Sequence, residues 1–347
     1  MNFSNTIFEV MSKTLIKNKN SFIIGQGVND QRGIFGTTKD LYKKFPNRVI
    51  ETPLSEDAIS GICLGAALAG NYPINTHIRN DFSLLIFNQL INLIAKYKYI
   101  YDGNFKAPML FRMIIGRSWG QGAQHSQSLQ SLMSHIPGLT VIMPSHPQTL
   151  KETYLYAINK FKGPVISLEH RLLYSLNFKK IKPLEKKLKK NPFRSFKIQN
   201  GSSVTIVASS IMVVEAIRIS NILKKYNLTV DLIDLNCISN IDHKIIIKSV
   251  KKTGKLVILD TSWKNFGTSS EICRMICEHD SKVLKKPVMI FANKFTPCPT
   301  SKKLEDFFYP NTNDILKGIL KLVGIKKNIS LDNISQTEFY KEFKGPF

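Results

Sequence analysis

The strongest constraint on the fold is a regular alternation of short apolar runs with segments of helical periodicity. In the first half of the chain the apolar runs are SFIIG (21–25), RVIE (48–51), PINTHI (73–78), MLFRMII (109–115), TVIMP (140–144) and PVISLE (164–169). Strands that are almost uniformly apolar and separated by helices are typical of a parallel sheet covered on both faces. The pattern therefore predicts an α/β domain, whose ligand site lies beyond the carboxyl ends of the strands.

A second series of the same kind follows a break in the pattern. The stretch 177–200 is rich in lysine, contains two prolines and shows little periodicity, which is typical of a linker or an exposed arm. Beyond it, strand-like runs at 203–210, 229–235, 255–261 and 287–293 alternate with helical segments. We predict a first domain at 1–180, a basic linker at 181–200 and a second, smaller α/β domain at 201–347.

Charge and composition restrict the class of protein. The formal net charge is +24, but the lysines are scattered and no nucleic-acid motif accompanies them, so we assign most of the charge to solvated surface and expect no nucleic-acid partner. Five cysteines without a paired framework favour a reducing compartment. The most apolar run, 82–97, is short and interrupted by Asn and Gln, which favours a buried helix over a membrane span. We expect a cytoplasmic protein.

Glu56 is the first candidate for chemistry. It lies in ETPLSEDA, directly after a predicted strand and in the first turn of a helix predicted over 55–70, with Ser55 as N-cap. An acid in this place is commonly a contact with the helix dipole, and Asp57 beside it has the same chemistry. From its position alone, both a structural and a catalytic role for Glu56 stay open.

His125 is the second candidate. It lies in GRSWGQGAQHSQSLQSLMSHIPG (116–138), a glycine-rich loop before a segment with the apolar spacing of a helix. A helix N-terminus disfavours a protonated histidine, so the position predicts a neutral imidazole that can exchange a proton near pH 7. The alternative is a surface histidine in a turn. Phe82, after the third strand, is either a core residue or a ring that stacks on a planar ligand.

The chain contains none of the usual phosphate-binding or nucleophile motifs. There is no G-x-G-x-x-G loop, no G-x-x-x-x-G-K-[ST] loop and no G-x-S-x-G turn. A phosphorylated cofactor would therefore need a second chain to hold its phosphates.

Several segments together resemble a known family. The combination of TPLSEDA (52–58), QHSQSL (124–129) and HIPGL (135–139) resembles the β subunit of 2-oxoacid dehydrogenases, the pyruvate dehydrogenase type of decarboxylating component. The resemblance covers nearly the whole chain, to about residue 324. It implies a transketolase-like, thiamine-diphosphate pyrimidine-binding domain followed by a transketolase C-terminal-like domain.

The resemblance also implies a cofactor and site residues. Thiamine diphosphate would lie between this chain and an α subunit that binds Mg²⁺ and the diphosphate, and this chain would hold the aminopyrimidine. Glu56 matches the glutamate that hydrogen-bonds a pyrimidine nitrogen, Phe82 the aromatic residue beside the ring, and Leu54 lies in the approaching loop. His125 matches the active-site histidine that orients the substrate carboxylate and handles protons during acyl transfer.

The function implied is oxidative decarboxylation of a pyruvate-like 2-oxoacid with acyl transfer to lipoyl-lysine. The expected partners are an α subunit in a two-α, two-β heterotetramer and a lipoyl acyltransferase core. Two alternatives stay open: half of a split transketolase-like or acyloin-type lyase outside any lipoyl complex, and an inactive subunit that stabilises a partner. No metal site is predicted on this chain, because NKFKGP (159–164) replaces the acidic turn that relatives use near a structural potassium ion.

Overall fold

The first domain is built on a parallel sheet. The computed structural model describes residues 2–116, 120–178 and 191–325. The strands of this sheet are β1 (Ser21–Gly25), β2 (Val49–Glu51), β3 (Tyr72–His77), β4 (Met109–Ile115), β5 (Thr140–Ile142) and β6 (Pro164–His170). They are ordered β2-β1-β3-β4-β6-β5, and every neighbouring pair is parallel. The predicted fold class is confirmed, since the apolar runs form a parallel sheet whose central strands β1, β3, β4 and β6 are almost fully buried.

The second sheet is mixed. Its strands are β7 (Phe196–Gln199), β8 (Val204–Ala208), β9 (Val230–Asp234), β10 (Leu256–Trp263) and β11 (Met289–Asn293). The order is β11-β10-β8-β9-β7, and β7 pairs with β9 antiparallel. Residues 196–199, which the sequence analysis assigned to the linker, thus form an edge strand of this sheet. Residues 181–190 of that linker lie outside the described residues.

Helices cover both sheets. They are α1 (Phe3–Lys17), α2 (Gly33–Gly36), α3 (Leu41–Lys44), α4 (Glu56–Leu68), α5 (Tyr97–Ile100), α6 (Gln130–Ser134), α7 (Pro147–Asn159), α8 (Ile211–Lys224), α9 (His243–Thr253), α10 (Thr268–Asp280), α11 (Lys302–Phe308) and α12 (Thr312–Val323). No helix of the described residues is long and apolar enough to cross a membrane.

The long helix predicted from Phe82 is replaced by two irregular segments. Asn80–Ile86 forms a 3₁₀ helix and Asn88–Ile94 a π-helical turn. The Ser83 hydroxyl donates to the Asn80 carbonyl at 2.6 Å, and the Asn92 amide donates to the Asn88 side chain at 2.9 Å. The Ser83 bond to a backbone carbonyl competes with the regular α-helical pattern, and apolar periodicity alone does not report it.

The two domains are joined along β5. Ile142 and Cys237 form an antiparallel bridge, the Met143 amide donates to the Asn236 carbonyl at 2.6 Å, and the Ile238 amide donates to the Val141 carbonyl at 2.9 Å. These bonds use backbone groups that the edge of the first sheet would otherwise leave open. The second domain therefore covers the β5 edge of the first sheet.

Candidate active site at the carboxyl edge of the first sheet

A cavity of about 280 Å³ opens at the carboxyl ends of β1 and β3. Its wall is formed by the ends of these strands, the start of α4, the 3₁₀ segment and the loop after β4. The lining residues are Gly25, Gln26, Thr52, Glu56, Ile59, Asn75, Thr76, His77, Ile78, Arg79, Phe82 and His125. A Cβ atom at Gly25 would lie 2.3 Å from the Thr76 carbonyl oxygen, so only glycine permits this approach of β1 to β3. The cavity is where a parallel sheet is expected to bind its ligand.

Glu56 is the acid that faces the cavity. It is the first residue of α4 and half-buried, whereas Asp57 beside it is exposed and does not line the cavity. The Gln26 amide donates to Glu56 Oε1 at 3.3 Å. Ser55 occupies the N-cap position as predicted, but its side chain makes no capping hydrogen bond. Helical rotation thus separates two neighbouring acids that the sequence could not distinguish.

His125 and Phe82 form one side of the cavity. Their rings meet edge to face, with centroids 5.4 Å apart and an interplanar angle of 78°. Asp81 accepts a hydrogen bond from the Gln127 amide at 3.1 Å, which ties the 3₁₀ segment to the loop that carries His125. The two residues therefore belong to one connected wall.

The predicted helix N-terminus at His125 is wrong. Helix α6 begins only at Gln130. Leu129 is at its N-cap position and makes no side-chain capping hydrogen bond. The bond from the Gln127 amide to Asp81, and the bond from the Ser128 hydroxyl to the Gln130 side chain at 2.6 Å, hold the preceding residues out of the helix. The argument that a helix N-terminus keeps the His125 imidazole neutral therefore does not apply.

Leu54 lies outside the cavity wall. It is in the loop between β2 and α4, 82% exposed, while Glu56, Phe82 and His125 line the cavity. The structure thus brings three of the four sequence-predicted residues together and leaves the fourth on the surface nearby.

Two residues of the cavity were missed in the sequence analysis, His77 and Arg79. His77 is 6% exposed, and its Nε2 has no hydrogen-bond partner among the described residues. Burial lowers the pKa of His77 to about 4, against an opposing effect of the Glu56 charge. Arg79 is 5% exposed and donates through Nη1 to the Ile78 carbonyl at 2.8 Å. Their position in the sequence could have identified them, since polar residues at the carboxyl end of a parallel strand lie at the edge where the sheet binds ligands.

The residues present fit the aminopyrimidine part of thiamine diphosphate. A planar heteroaromatic group needs a flat apolar surface and polar atoms at its edge; the Phe82 ring and the Glu56 carboxylate provide both in one cavity. The unpartnered His77 Nε2 adds a buried polar atom to the wall. Among residues 2–116, 120–178 and 191–325, no group of three His, Cys, Asp or Glu side chains gathers to hold a metal ion.

Comparison with known proteins agrees with this architecture. Residues 1–177 match the family model of the transketolase pyrimidine binding domain, and residues 196–315 match that of the transketolase C-terminal domain. A solved split-gene transketolase, described as an inactive β4 tetramer, superposes with a TM-score of 0.74 over 94% of this chain and 99% of its own, at 18% identity. Fold and cavity thus define a transketolase-type protein of two domains.

Sequence relatives narrow the class. The pyruvate dehydrogenase E1 component subunit beta of Rickettsia conorii is 34% identical over 90% of this chain and 95% of its own length. The mitochondrial subunit of Bos taurus is 34% identical, with 91% and 88% covered. The beta subunit of acetoin:2,6-dichlorophenolindophenol oxidoreductase from Cupriavidus necator is 34% identical, with 82% of each chain covered. The chain belongs to the family of 2-oxoacid dehydrogenase E1 β subunits.

Proposed function

We propose that this chain, together with an α subunit, catalyses the oxidative decarboxylation of a pyruvate-like 2-oxoacid and passes the acyl group to lipoyl-lysine. The observation that carries the proposal is one open cavity lined by Glu56, Phe82 and His125 on a chain without a phosphate-binding motif. The family of the chain supports thiamine diphosphate as the cofactor, with Mg²⁺ and the diphosphate held by the α subunit.

Thiamine diphosphate, when bound, supplies the electron sink that decarboxylation requires. Glu56 holds a proton at a ring nitrogen of the aminopyrimidine, and the Gln26 bond to Oε1 leaves Oε2 for that contact. A charge-assisted hydrogen bond of this kind contributes about 1.5–3 kcal/mol. Phe82 would pack beside the ring, while Leu54 lies exposed outside the cavity wall, on the loop before α4.

His125 acts on the substrate side. Its half-buried imidazole beside Phe82 orients the substrate carboxylate and exchanges a proton during acyl transfer. Histidine suits this role because its unperturbed pKa is near neutral pH.

The α subunit covers an apolar surface next to the cavity. Leu54 is 82% exposed, Leu85 57%, Ile62 55% and Leu84 43%, and these residues lie on or beside the elements that form the cavity wall. Exposed large apolar side chains on adjacent elements are typical of a protein interface. We propose a two-α, two-β tetramer, with a lipoyl acyltransferase core as a further partner. The five free cysteines support a cytoplasmic location.

A second function is favoured by one relative. The Cupriavidus necator protein acts in acetoin oxidation by its name, so an acyloin-type reaction outside a lipoyl complex is the alternative. Transfer of the acyl group to a free lipoyl domain by the assembled complex separates the two, because only the first function requires it.

The Glu56→Gln variant tests the site. Co-expressed with the α subunit, it should lose about 10²–10⁴-fold in kcat for 2-oxoacid decarboxylation, since the amide cannot hold the proton that the carboxylate holds. Its affinity for the cofactor should change far less, as measured by titration of the complex. Asp57→Asn is the matched control, because this acid is exposed and outside the cavity. Full activity of the Glu56→Gln complex would contradict the assigned role.

A further inference from the structure

The loop that carries His125 is in close contact with the second domain before it reaches the histidine. Thr300 of the second domain lies against two glycines of this loop. A Cβ atom at Gly120 would be 2.8 Å from the Thr300 carbonyl oxygen, and a Cβ atom at Gly122 would be 2.6 Å from the Thr300 hydroxyl oxygen. Both glycines also have positive φ angles, +72° and +69°. The approach of the second domain to this part of the loop therefore depends on glycine.

Gln130 makes the contact on the other side of His125. Its side chain is fully buried, and its Nε2 donates to Asp260 Oδ1 at 2.9 Å and to the Thr261 hydroxyl at 3.1 Å. Its Oε1 accepts the hydroxyl of Ser128, a residue of the loop, at 2.6 Å. One side chain thus joins the loop of the first domain to strand β10 of the second.

Asp260 is a fixed partner for this contact. It is 2% exposed, and its two oxygens accept the backbone amides of Ser262 at 3.0 Å and of Ser269 at 3.3 Å. Ser269 belongs to the first turn of α10, whereas Ser262 belongs to β10. Because backbone groups of a helix and a strand hold the carboxyl, the Gln130 side chain that binds it is held in turn.

These bonds determine the path of the loop beside the cavity. The residues between His125 and Gln130 precede α6, so side-chain contacts and not helical backbone bonds hold them. The Gln127 amide is bound to Asp81 on the cavity side, and Gln130 holds the opposite side. Loss of the Gln130 bonds would let the loop move, and a displacement of about 1 Å near a catalytic group can lower a rate by about a hundredfold.

We propose that Gln130 is a positioning residue for His125, through which the second domain takes part in acyl transfer. The proposal rests on the proposed function, because that function assigns the proton exchange of acyl transfer to His125. Gln130 lies outside the cavity wall, so it acts through the loop and not on the substrate.

Gln130→Met tests the proposal on the assembled α–β complex with cofactor, since Met keeps the length of the side chain and removes its polar atoms. Acyl transfer to a lipoyl domain should slow by about ten- to a hundredfold. Exchange of the cofactor's C2 proton with deuterated solvent, the step that Glu56 serves, should stay at the wild-type rate. Thr261→Val, which removes only one hydroxyl, should slow acyl transfer less. Ser131→Ala is the matched control, because it removes a different contact between the domains, to the Thr268 hydroxyl at 3.4 Å, and should change neither rate.

Hydrogen exchange of the loop is a readout apart from turnover. In the complex without cofactor, the backbone amides of residues 120–129 should exchange about tenfold faster in Gln130→Met than in the wild type, and Ser131→Ala should match the wild type. If Gln130→Met does not assemble, Thr261→Val serves for both measurements.

Two results would overturn the proposal while the dehydrogenase function stands. One is an equal slowing of acyl transfer and of C2-proton exchange, and the other is unchanged hydrogen exchange in the loop. In either case Gln130 stabilises the chain without positioning His125. A wild-type complex that transfers no acyl group would instead reject the proposed function and with it the role in acyl transfer, and hydrogen exchange would still show whether Gln130 holds the loop.

Discussion

At the scale of single residues, His77 makes the stability of the chain depend on pH. Its ring is buried, with the Phe111 ring 6.2 Å away, and its pKa is lowered from 6.5 to about 4. The unfolded chain therefore binds a proton at His77 between these two values while the folded chain does not. Stability rises with pH across this window, because the unfolded state holds more protons there.

His77→Phe should remove this dependence. The ring volume is kept and the titrating group is lost, so the variant should show a smaller fall in unfolding free energy on going from about pH 7.5 to about pH 5, by up to about 2 kcal/mol. Urea unfolding at both pH values measures it. The exposed His135→Phe is the matched control and should keep the wild-type slope. If the unfolding free energy of His77→Phe changes with pH as much as that of the wild type, His77 does not titrate in this way.

The sequence could place Glu56 and His125 at the same edge of the sheet, because position and family motif pointed to the same residues. It could not choose between Glu56 and Asp57 from chemistry, since the choice depends on which face of α4 meets the cavity. His77 and Arg79 were missed for a different reason. Their importance comes from burial, and burial depends on residues distant in sequence, such as Phe111 beside His77.

At the scale of elements, a buried ion pair connects β4 with β6. Arg112 Nε and Nη2 donate to the two Glu169 oxygens at 2.8 and 2.9 Å, and both side chains are fully buried. The hydroxyls of Tyr154, on α7, and of Tyr174 also donate to this carboxylate. The pair holds β4, from whose end the loop with His125 begins, against its neighbour β6.

Arg112→Met should destabilise the fold by about 3–5 kcal/mol, because it leaves the Glu169 carboxylate buried without its cation. The loss should appear as a lower urea midpoint for unfolding. Arg274→Met is the matched control: its partners Glu271 and Glu278 are exposed, so the same substitution should cost less than about 1 kcal/mol. Similar losses of unfolding free energy in the two variants would mean that burial does not determine the cost of removing the cation.

Element prediction from the sequence succeeded where one pattern dominated. β4 was predicted with its observed bounds, because a buried parallel strand reads as an almost uniformly apolar run, here interrupted by Arg112 alone. The predictions of helix α6 and of the helix from Phe82 failed, because hydrogen bonds to the Asp81 carboxylate and the Asn80 carbonyl compete with helical backbone bonds. Apolar spacing locates the buried face of a segment and leaves its helix type undetermined.

At the scale of the whole molecule, Asp234 links the domains through a neutral carboxyl. It lies at the end of β9, fully buried, accepts the Asn236 amide at 2.9 Å and accepts the hydroxyl of Ser145, which belongs to the first domain. Burial raises the pKa of Asp234 from 3.8 to about 7. Below about pH 7 the folded chain keeps this carboxyl protonated, whereas the unfolded chain has already released the proton.

The contact between the domains should therefore weaken as pH rises. The stability that Asp234 contributes is complete below pH 3.8 and is lost as pH rises to about 7, on the order of 4 kcal/mol in total. Asp234→Asn imitates the neutral form, since its oxygen can accept the Asn236 amide and its nitrogen can donate to Ser145. Between about pH 5.5 and about pH 8, the melting temperature of the variant should fall less than that of the wild type. Asp57→Asn, at an exposed acid, is the control, and its melting temperature should change with pH as that of the wild type does. If the melting temperature of Asp234→Asn also changes with pH as in the wild type, Asp234 is already ionised in the folded chain. The contact between the domains then depends on the β5 backbone bonds and not on a neutral Asp234.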